Sequence, residues 1–410
     1  MKILIFITTI ALNFSCVQAQ ESQVDRTKIK EDLNEILTDI SENYIYLDEK
    51  NVDLDCIRKH YESQIESLRT EEETVLFFEY LLDEFYDSHL ILSTNRNSSF
   101  RLFSPIYIKV ENGKAIISNI WQTQIQNIDQ NLIGAEVKKI NGLEFDKAIE
   151  KFPTHCNDKK SIIVREWIAN KILAGRYNEQ RILSLKLTDN KNIEFDLDKV
   201  KIIKNDGLLN TTTQNGIGII RLNNSLGNNG LIKEFDKSLD LLDNTKGLII
   251  DLRNTVDGGN SYVARGILSR FIAKQKPYQR HWTIEQYDGK TKVERSWVEY
   301  VSPRGSQYKK PVIILVGRWT GSMGEGLAIG FEGMERAEVV GSEMERLAGE
   351  MNAFSFVNQK FGYRLSTAKL YHINGTPREK YVPTNYVTQT TTKNDETLAK
   401  GIELINKIAK

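Results

Sequence analysis

The chain has 410 residues, too many for one ordinary core and enough for two or three domains. Its 55 basic and 55 acidic residues cancel, which argues against a nucleic-acid partner or an acidic membrane surface, since both call for a basic excess. A composition 40% hydrophobic and 27% charged is that of a soluble globular protein and speaks against long disorder.

The first twenty residues stand apart. Lys2 gives a positive start, Ile3 to Leu12 form a short apolar run, and Val17-Gln18-Ala19 puts small or apolar residues at the −3 and −1 positions of a cleavage site. That is the layout of a secretory signal peptide over 1–19, cut after Ala19. The run is too short to cross a bilayer, which takes about 20 apolar residues, and no later stretch reaches that length. A lipid anchor on Cys16 is the less favoured reading, because Asn13-Phe14-Ser15 departs from a small-residue lipobox, Phe14 most of all. The expectation is an exported protein, periplasmic or extracellular, without a stable membrane span.

Residues 20–95 read as helical: Leu33, Ile36, Leu37 and Ile40 recur at helical spacing, as do Val75, Phe78, Leu81, Leu82 and Phe85. Over 100–155 the texture changes to short strands with Asn-Gly turns, and a helix opens near Phe145. Residues 156–205 form a bridge, with a helix over 162–173 and strands at 181–187 and 193–203. From 206 to 410 the chain is α/β. Strands at 217–222, 247–252 and 311–316 alternate with helices at 231–242, 261–273 and 322–333, which predicts a mainly parallel sheet with βαβ crossovers. Cys56 and Cys156 lie in segments assigned to different domains and are expected to be free thiols, although an oxidising compartment would let them pair.

Two segments carry chemistry. The strand 312–316 runs into a loop with Gly317 and Gly321, and Ser322 stands where the next helix opens. A serine there caps the helix, with Glu325 completing a capping box, or serves as a nucleophile at a strand-to-helix turn; the local sequence leaves both open. Earlier, a buried strand ends in Asp251-Leu252-Arg253-Asn254, followed by Gly258-Gly259 and a helix. Adjacent glycines let backbone N–H groups come close to a ligand, or simply make a tight turn.

Taken together, Asp251-Leu252-Arg253-Asn254 with Gly258-Gly259 and, roughly 60 residues later, T-x-S-x-x-E at Thr320, Ser322 and Glu325 resemble the tail-specific, or C-terminal-processing, serine peptidases, including their tricorn-core branch. Arg336-Ala337 through Val340-Gly341 is similar to that family's R-A-x-x-V-G strand. The resemblance implies an α/β multidomain protein with a Clp protease/crotonase-like βαβ core, a helical N-terminal region and a PDZ-like β-rich module. The module is matched by Gly134-Ala135-Glu136-Val137 and Ile140-Asn141-Gly142. One departure is Asp257, where the family commonly has proline before Gly-Gly.

The lysine-based branch is excluded, since 323–359 contains no lysine and 347 is leucine. The tricorn-like branch implies a Ser-His pair, matched by Ser88-His89, and a late glutamate, matched by Glu379, 57 residues after Ser322. On this resemblance His89 is the base, Ser88 and Glu379 orient it, with Glu379 acting through the Ser88 hydroxyl, and Met323 with Gly258 or Gly259 forms the oxyanion hole. No metal or organic cofactor is implied, and the partners are peptide or protein substrates. Among the other histidines, His60 falls on a helical surface, His155 in a polar loop and His281 without an adjacent acid; His372 is the rival base. The competing functions are a catalytically inactive peptide-binding protein on the same scaffold and a crotonase-like acyl-CoA enzyme, which an export signal disfavours.

Overall fold

The computed structural model describes residues 24–286 and 289–409; the expected signal peptide and Cys16 lie outside them. Continuous apolar runs produce the expected central sheet of six strands. The strands 217–222, 248–251, 312–316, 338–341 and 385–386 lie side by side and parallel, and 209–214 closes one edge antiparallel. Because both faces are covered, Val312–Val316 is buried at every position. The helices Leu231–Leu241, Ser261–Leu268 and Met323–Gly333 cover one face and Glu396–Ile408 the other.

The N-terminal helices Arg26–Asn43, Leu54–Gln64 and Glu71–Asp83 share an apolar core with Tyr363 and Leu365 of a second, antiparallel sheet and with Phe356 just beyond one of its strands. That sheet runs 91–92, 362–371, 276–285, 293–301, with 350–355 paired to 362–371. The chain leaves the last of those helices, passes His89, and enters this sheet at once through Ile91–Leu92.

A third sheet takes in 106–111, 114–120, 136–140, 182–186 and 192–196. The expected division at 155/156 therefore does not separate two units. Strand 182–186 pairs with 136–140, and the helix Ile162–Ala174 shares their core, because the bridge has apolar residues at positions that only this sheet can cover. Asn112-Gly113 and Asn141-Gly142 both adopt positive φ, as two-residue hairpin turns require.

The free-thiol expectation is overturned. Cys56 and Cys156 form a disulfide, with Cα atoms 5.7 Å apart. The loop after Phe152 folds back onto the helix Leu54–Gln64, where the His155 ring lies 4.1 Å from that of His60. Among the described residues, no helix is long and apolar enough to cross a membrane.

Candidate active site

The strand-to-helix turn at Ser322 is built with Thr320. Thr320 Oγ1 donates to the Leu252 carbonyl at 3.0 Å and accepts from Gly317 N–H at 3.1 Å, while Gly321 N–H donates to the Thr255 carbonyl at 3.2 Å. The turn is thereby bonded to the end of the neighbouring strand. Ser322 itself sits at φ 47°, ψ −110°. A non-glycine residue there stores on the order of 1–3 kcal/mol and persists only when its surroundings fix it. Glu325 supplies one fixing contact, its Oε2 accepting from Ser322 N–H at 3.0 Å. The same carboxyl accepts from Arg346 N–H at 2.9 Å and Leu347 N–H at 3.3 Å. Burial pushes its pKa up to about 7, against the lowering effect of Arg378 and these donors.

The glycine loop passes directly over this serine. Gly258 has φ 65°, and a Cβ added there would lie 2.4 Å from Ser322 Cβ, 2.9 Å from Met323 N and 3.0 Å from Ser322 Oγ. Only glycine fits. Its N–H donates to the Thr255 carbonyl at 2.9 Å, and Met323 N–H belongs to the first turn of the helix, which has no intrahelical acceptor. Asp257 stabilises the loop where proline was expected. Asn224 Nδ2 donates to its carboxylate at 2.7 Å, and Asp257 N–H donates back to Asn224 Oδ1 at 2.9 Å. Below the loop, Asp251 is sealed among Arg221 and Arg253. Burial works against its charge, but the two guanidiniums at 2.8 Å hold it well below the usual carboxylate range.

His89 arrives from the other side. Tyr86 turns the chain at φ 47°, and Asp87 Oδ1 accepts from His89 N–H at 2.9 Å. Asp87 is held in turn by Tyr44 Oη at 2.6 Å and by Lys50 at 3.5 Å. The imidazole is 2% exposed. Its Nδ1 lies 2.8 Å from the Ala348 carbonyl oxygen, which can only accept, so Nδ1 carries the proton and Nε2 the lone pair. Nε2 is buried and has no hydrogen-bond partner among the described residues. Burial first, then the Arg378 charge, lower the pKa to about 4, against Asp87 and the carbonyls of Ala348 and Gly349.

The relay from Glu379 through Ser88 is not formed. Ser88 and His89 are the central residues of a turn closed by Leu90 N–H on the Asp87 carbonyl at 3.1 Å, in which His89 is buried and Ser88 exposed, its hydroxyl accepting from Trp167 Nε1 at 3.2 Å. Glu379 lies in the turn Arg378–Lys380, interacting with Tyr46 and Arg378; its Oε2 is buried without a partner, and burial raises its pKa. The piece that unites the site is 346–349, which sequence reasoning missed. It donates two N–H groups to Glu325, accepts from His89 at Ala348, and receives Arg378 Nη2 at the Leu347 and Gly349 carbonyls, at 3.0 and 2.8 Å. Arg378, 2% exposed, was also missed; its place beside Glu379 was the available signal.

The rival histidines are elsewhere. His372 packs at Gly333 and pairs with Glu332 at 3.4 Å, at the far end of the helix that Ser322 begins, roughly 16 Å along its axis. His281, read as lacking an acid, has two, Glu350 at 3.0 Å and Glu299 at 3.2 Å, both brought by neighbouring strands.

Residues 216–388 match the model of peptidase family S41. That segment holds the central parallel strands, the glycine loop and Ser322, and it is similar to the family there. Residues 25–83 match the tricorn protease C1 domain, so the helical segment ahead of His89 has its own counterpart. With that match, the chain is a serine-type peptidase, a hydrolase. Similar solved structures include mature CPAF complexed with lactacystin, 14% identical with a TM-score of 0.61 over 94% of this chain and 98% of that one. A putative peptidase from Parabacteroides merdae is 15% identical, with a TM-score of 0.55 over 93% and 97%. The photosystem II D1 C-terminal processing protease is 12% identical, with a TM-score of 0.53 over 93% and 97%. At these identities the likeness is one of fold. No curated protein sequence matches the chain.

Proposed function

We propose that this serine-type peptidase is an exported endopeptidase in which Ser322 is the nucleophile and His89 the general base. The observation that carries the reading is the packing of Gly258 against Ser322. It sets a strained serine, a helix-start N–H at Met323 and a glycine loop around one point. A peptide carbonyl there would be attacked by Oγ while its developing oxyanion faces Met323 and Gly259, each donor worth roughly 3 kcal/mol of barrier. His89 is neutral at ordinary pH with its Nε2 lone pair unclaimed, the form that takes the serine proton and returns it to the leaving amine. The Ala348 carbonyl fixes its tautomer, the part first expected of Ser88. The disulfide supports export, because such bonds persist in oxidising compartments. The sheet over 106–196 supports a PDZ-like part that would take an extended peptide at a free edge.

A second reading, a peptide-binding protein without turnover, is favoured by one observation: Nε2 of His89 is sealed and makes no bond to Ser322. Labelling with a fluorophosphonate probe separates the two. Wild type reacts at Ser322, and Ser322→Ala and His89→Ala do not. A folded wild type that neither labels nor cleaves casein or a peptide library would leave only the binding role.

A further inference from the structure

One carboxyl group unused above lies beneath the nucleophile turn. Glu345 N–H donates to the Thr320 carbonyl at 3.1 Å, and its side chain folds back under Gly321. A Cβ added to Gly321 would meet Glu345 Oε2 at 2.2 Å and the Val256 carbonyl oxygen at 2.4 Å. Two oxygens, one beside the nucleophile turn and one from the glycine loop, thus crowd the same point. Oε2 is buried and has no hydrogen-bond partner among the described residues. Two sealed acceptors repel each other unless a proton lies between them.

Glu325, on the other side of Ser322, differs. It accepts three N–H groups and has Arg378 at 3.9 Å. Of two neighbouring buried carboxyls one ionises far more readily, and the donors select Glu325. The other charged groups facing Glu345 are Arg318, after the strand Val312–Val316, and Asp257 in the glycine loop. Burial, then Glu325, raise the Glu345 pKa well above the usual range, with Arg318 acting against them.

We infer that Glu345 is a positioning residue that works as a neutral acid, its hydroxyl tying the Gly321–Ser322 turn to the Val256 carbonyl and so fixing the serine against the oxyanion donors. The inference rests on Ser322 being the nucleophile. When ionised, Glu345 has no proton to give Val256, and the tie is lost.

The test compares wild type, Glu345→Gln and Glu345→Ala by fluorophosphonate labelling rate and by thermal unfolding across pH. Glu345→Gln keeps a donor and cannot titrate; it labels within about threefold of wild type near pH 6 and holds that rate in alkali, where wild type slows. Glu345→Ala, still folded, labels about 10-fold slower or worse throughout. An acid whose folded pKa is raised loses stability as pH climbs from its unfolded value toward its folded one. Glu345→Gln therefore unfolds at a higher temperature than wild type in alkali, and the difference narrows below the ordinary carboxylate pKa. This second readout needs no catalysis, so it stands if wild type never labels and the Ser322 reading itself fails. Glu345→Ala labelling like wild type, Glu345→Gln as slow as Glu345→Ala, or equal unfolding of Glu345→Gln and wild type in alkali would each overturn the inference.

Discussion

The turn that presents Ser322 and the turn that presents His89 use the same device. In each, an acidic side chain accepts from the functional residue's own N–H: Glu325 at 3.0 Å for the serine and Asp87 at 2.9 Å for the histidine. In each, a non-glycine residue stands at φ 47°, Ser322 itself and Tyr86. The difference lies in what holds the device. Glu325 is three residues from Ser322, and its donors come from Ser322 and 346–347, beside the central sheet. Asp87 depends on Tyr44 and Lys50, about 40 positions back, and His89 on Ala348, more than 250 positions ahead. Ser322 is held by segments of the central sheet within about 70 positions, whereas His89 is held by packing across more than 250.

Removing either functional group is the largest perturbation and treats the halves alike. Ser322→Ala and His89→Ala each lower kcat/KM by about 10⁴-fold or more, and combining them costs little beyond either alone, since they act as a unit. Additive losses in steady-state kinetics would break the pairing of the two turns. Next comes Gly258→Ala, which drives a methyl into Ser322 and forces a side chain to φ 65°. Activity falls about 10²–10³-fold with a stability loss of about 1–3 kcal/mol, read by kinetics and urea unfolding.

The asymmetry sharpens with pH. Asp87→Asn keeps an acceptor for His89 N–H but removes a charge that raises the His89 pKa. Arg378→Met removes one that lowers it. The acid limb of kcat/KM, set near the His89 value of about 4, moves to higher pH in Arg378→Met and to lower pH in Asp87→Asn. An acid limb that stays put in Arg378→Met would remove His89 from the role of base.

The same contrast explains what the sequence disclosed. The central sheet was legible because its strands are continuous apolar runs and its functional residues lie within a few positions of them. Ser322 and Gly258-Gly259 stood out as strand-to-helix turns in the sequence, and the roles expected of them came through the resemblance. The Glu325 contact that belongs to a cap also fixes the strained serine, so a cap at Ser322 does not stand against the nucleophile reading. His89 was found only through resemblance, since a lone histidine after a helix has no local signature. Its true orienting partner is a backbone carbonyl at Ala348, and a carbonyl has no identity in a sequence. That Ser88 and His89 face different ways comes from the turn Asp87–Leu90, which the residues alone do not announce. Arg378 and 346–349 escaped notice because their importance comes from bringing three remote segments together.

The smallest effect on chemistry should come from the disulfide, and it falls on one half only. Cys156 lies beside His155, and the N–H groups of both donate to Glu84, at 3.0 and 2.7 Å. Glu84 caps the helix that precedes the Tyr86–His89 turn. The bond to Cys56 therefore clips the base-bearing turn to the N-terminal helices, across 100 positions of chain. Cys56→Ser with Cys156→Ser should cost about 2–4 kcal/mol in urea unfolding. Hydrogen exchange should show the loss in the helices Leu54–Gln64 and Glu71–Asp83 and in 84–90, while 312–333 keeps its protection. Labelling of Ser322 should slow by only a few fold, since Ala348 still holds the imidazole. Equal loss of protection around Ser322 would mean that the two halves unfold as one unit, and the separate hold assigned to Ser322 would then be wrong.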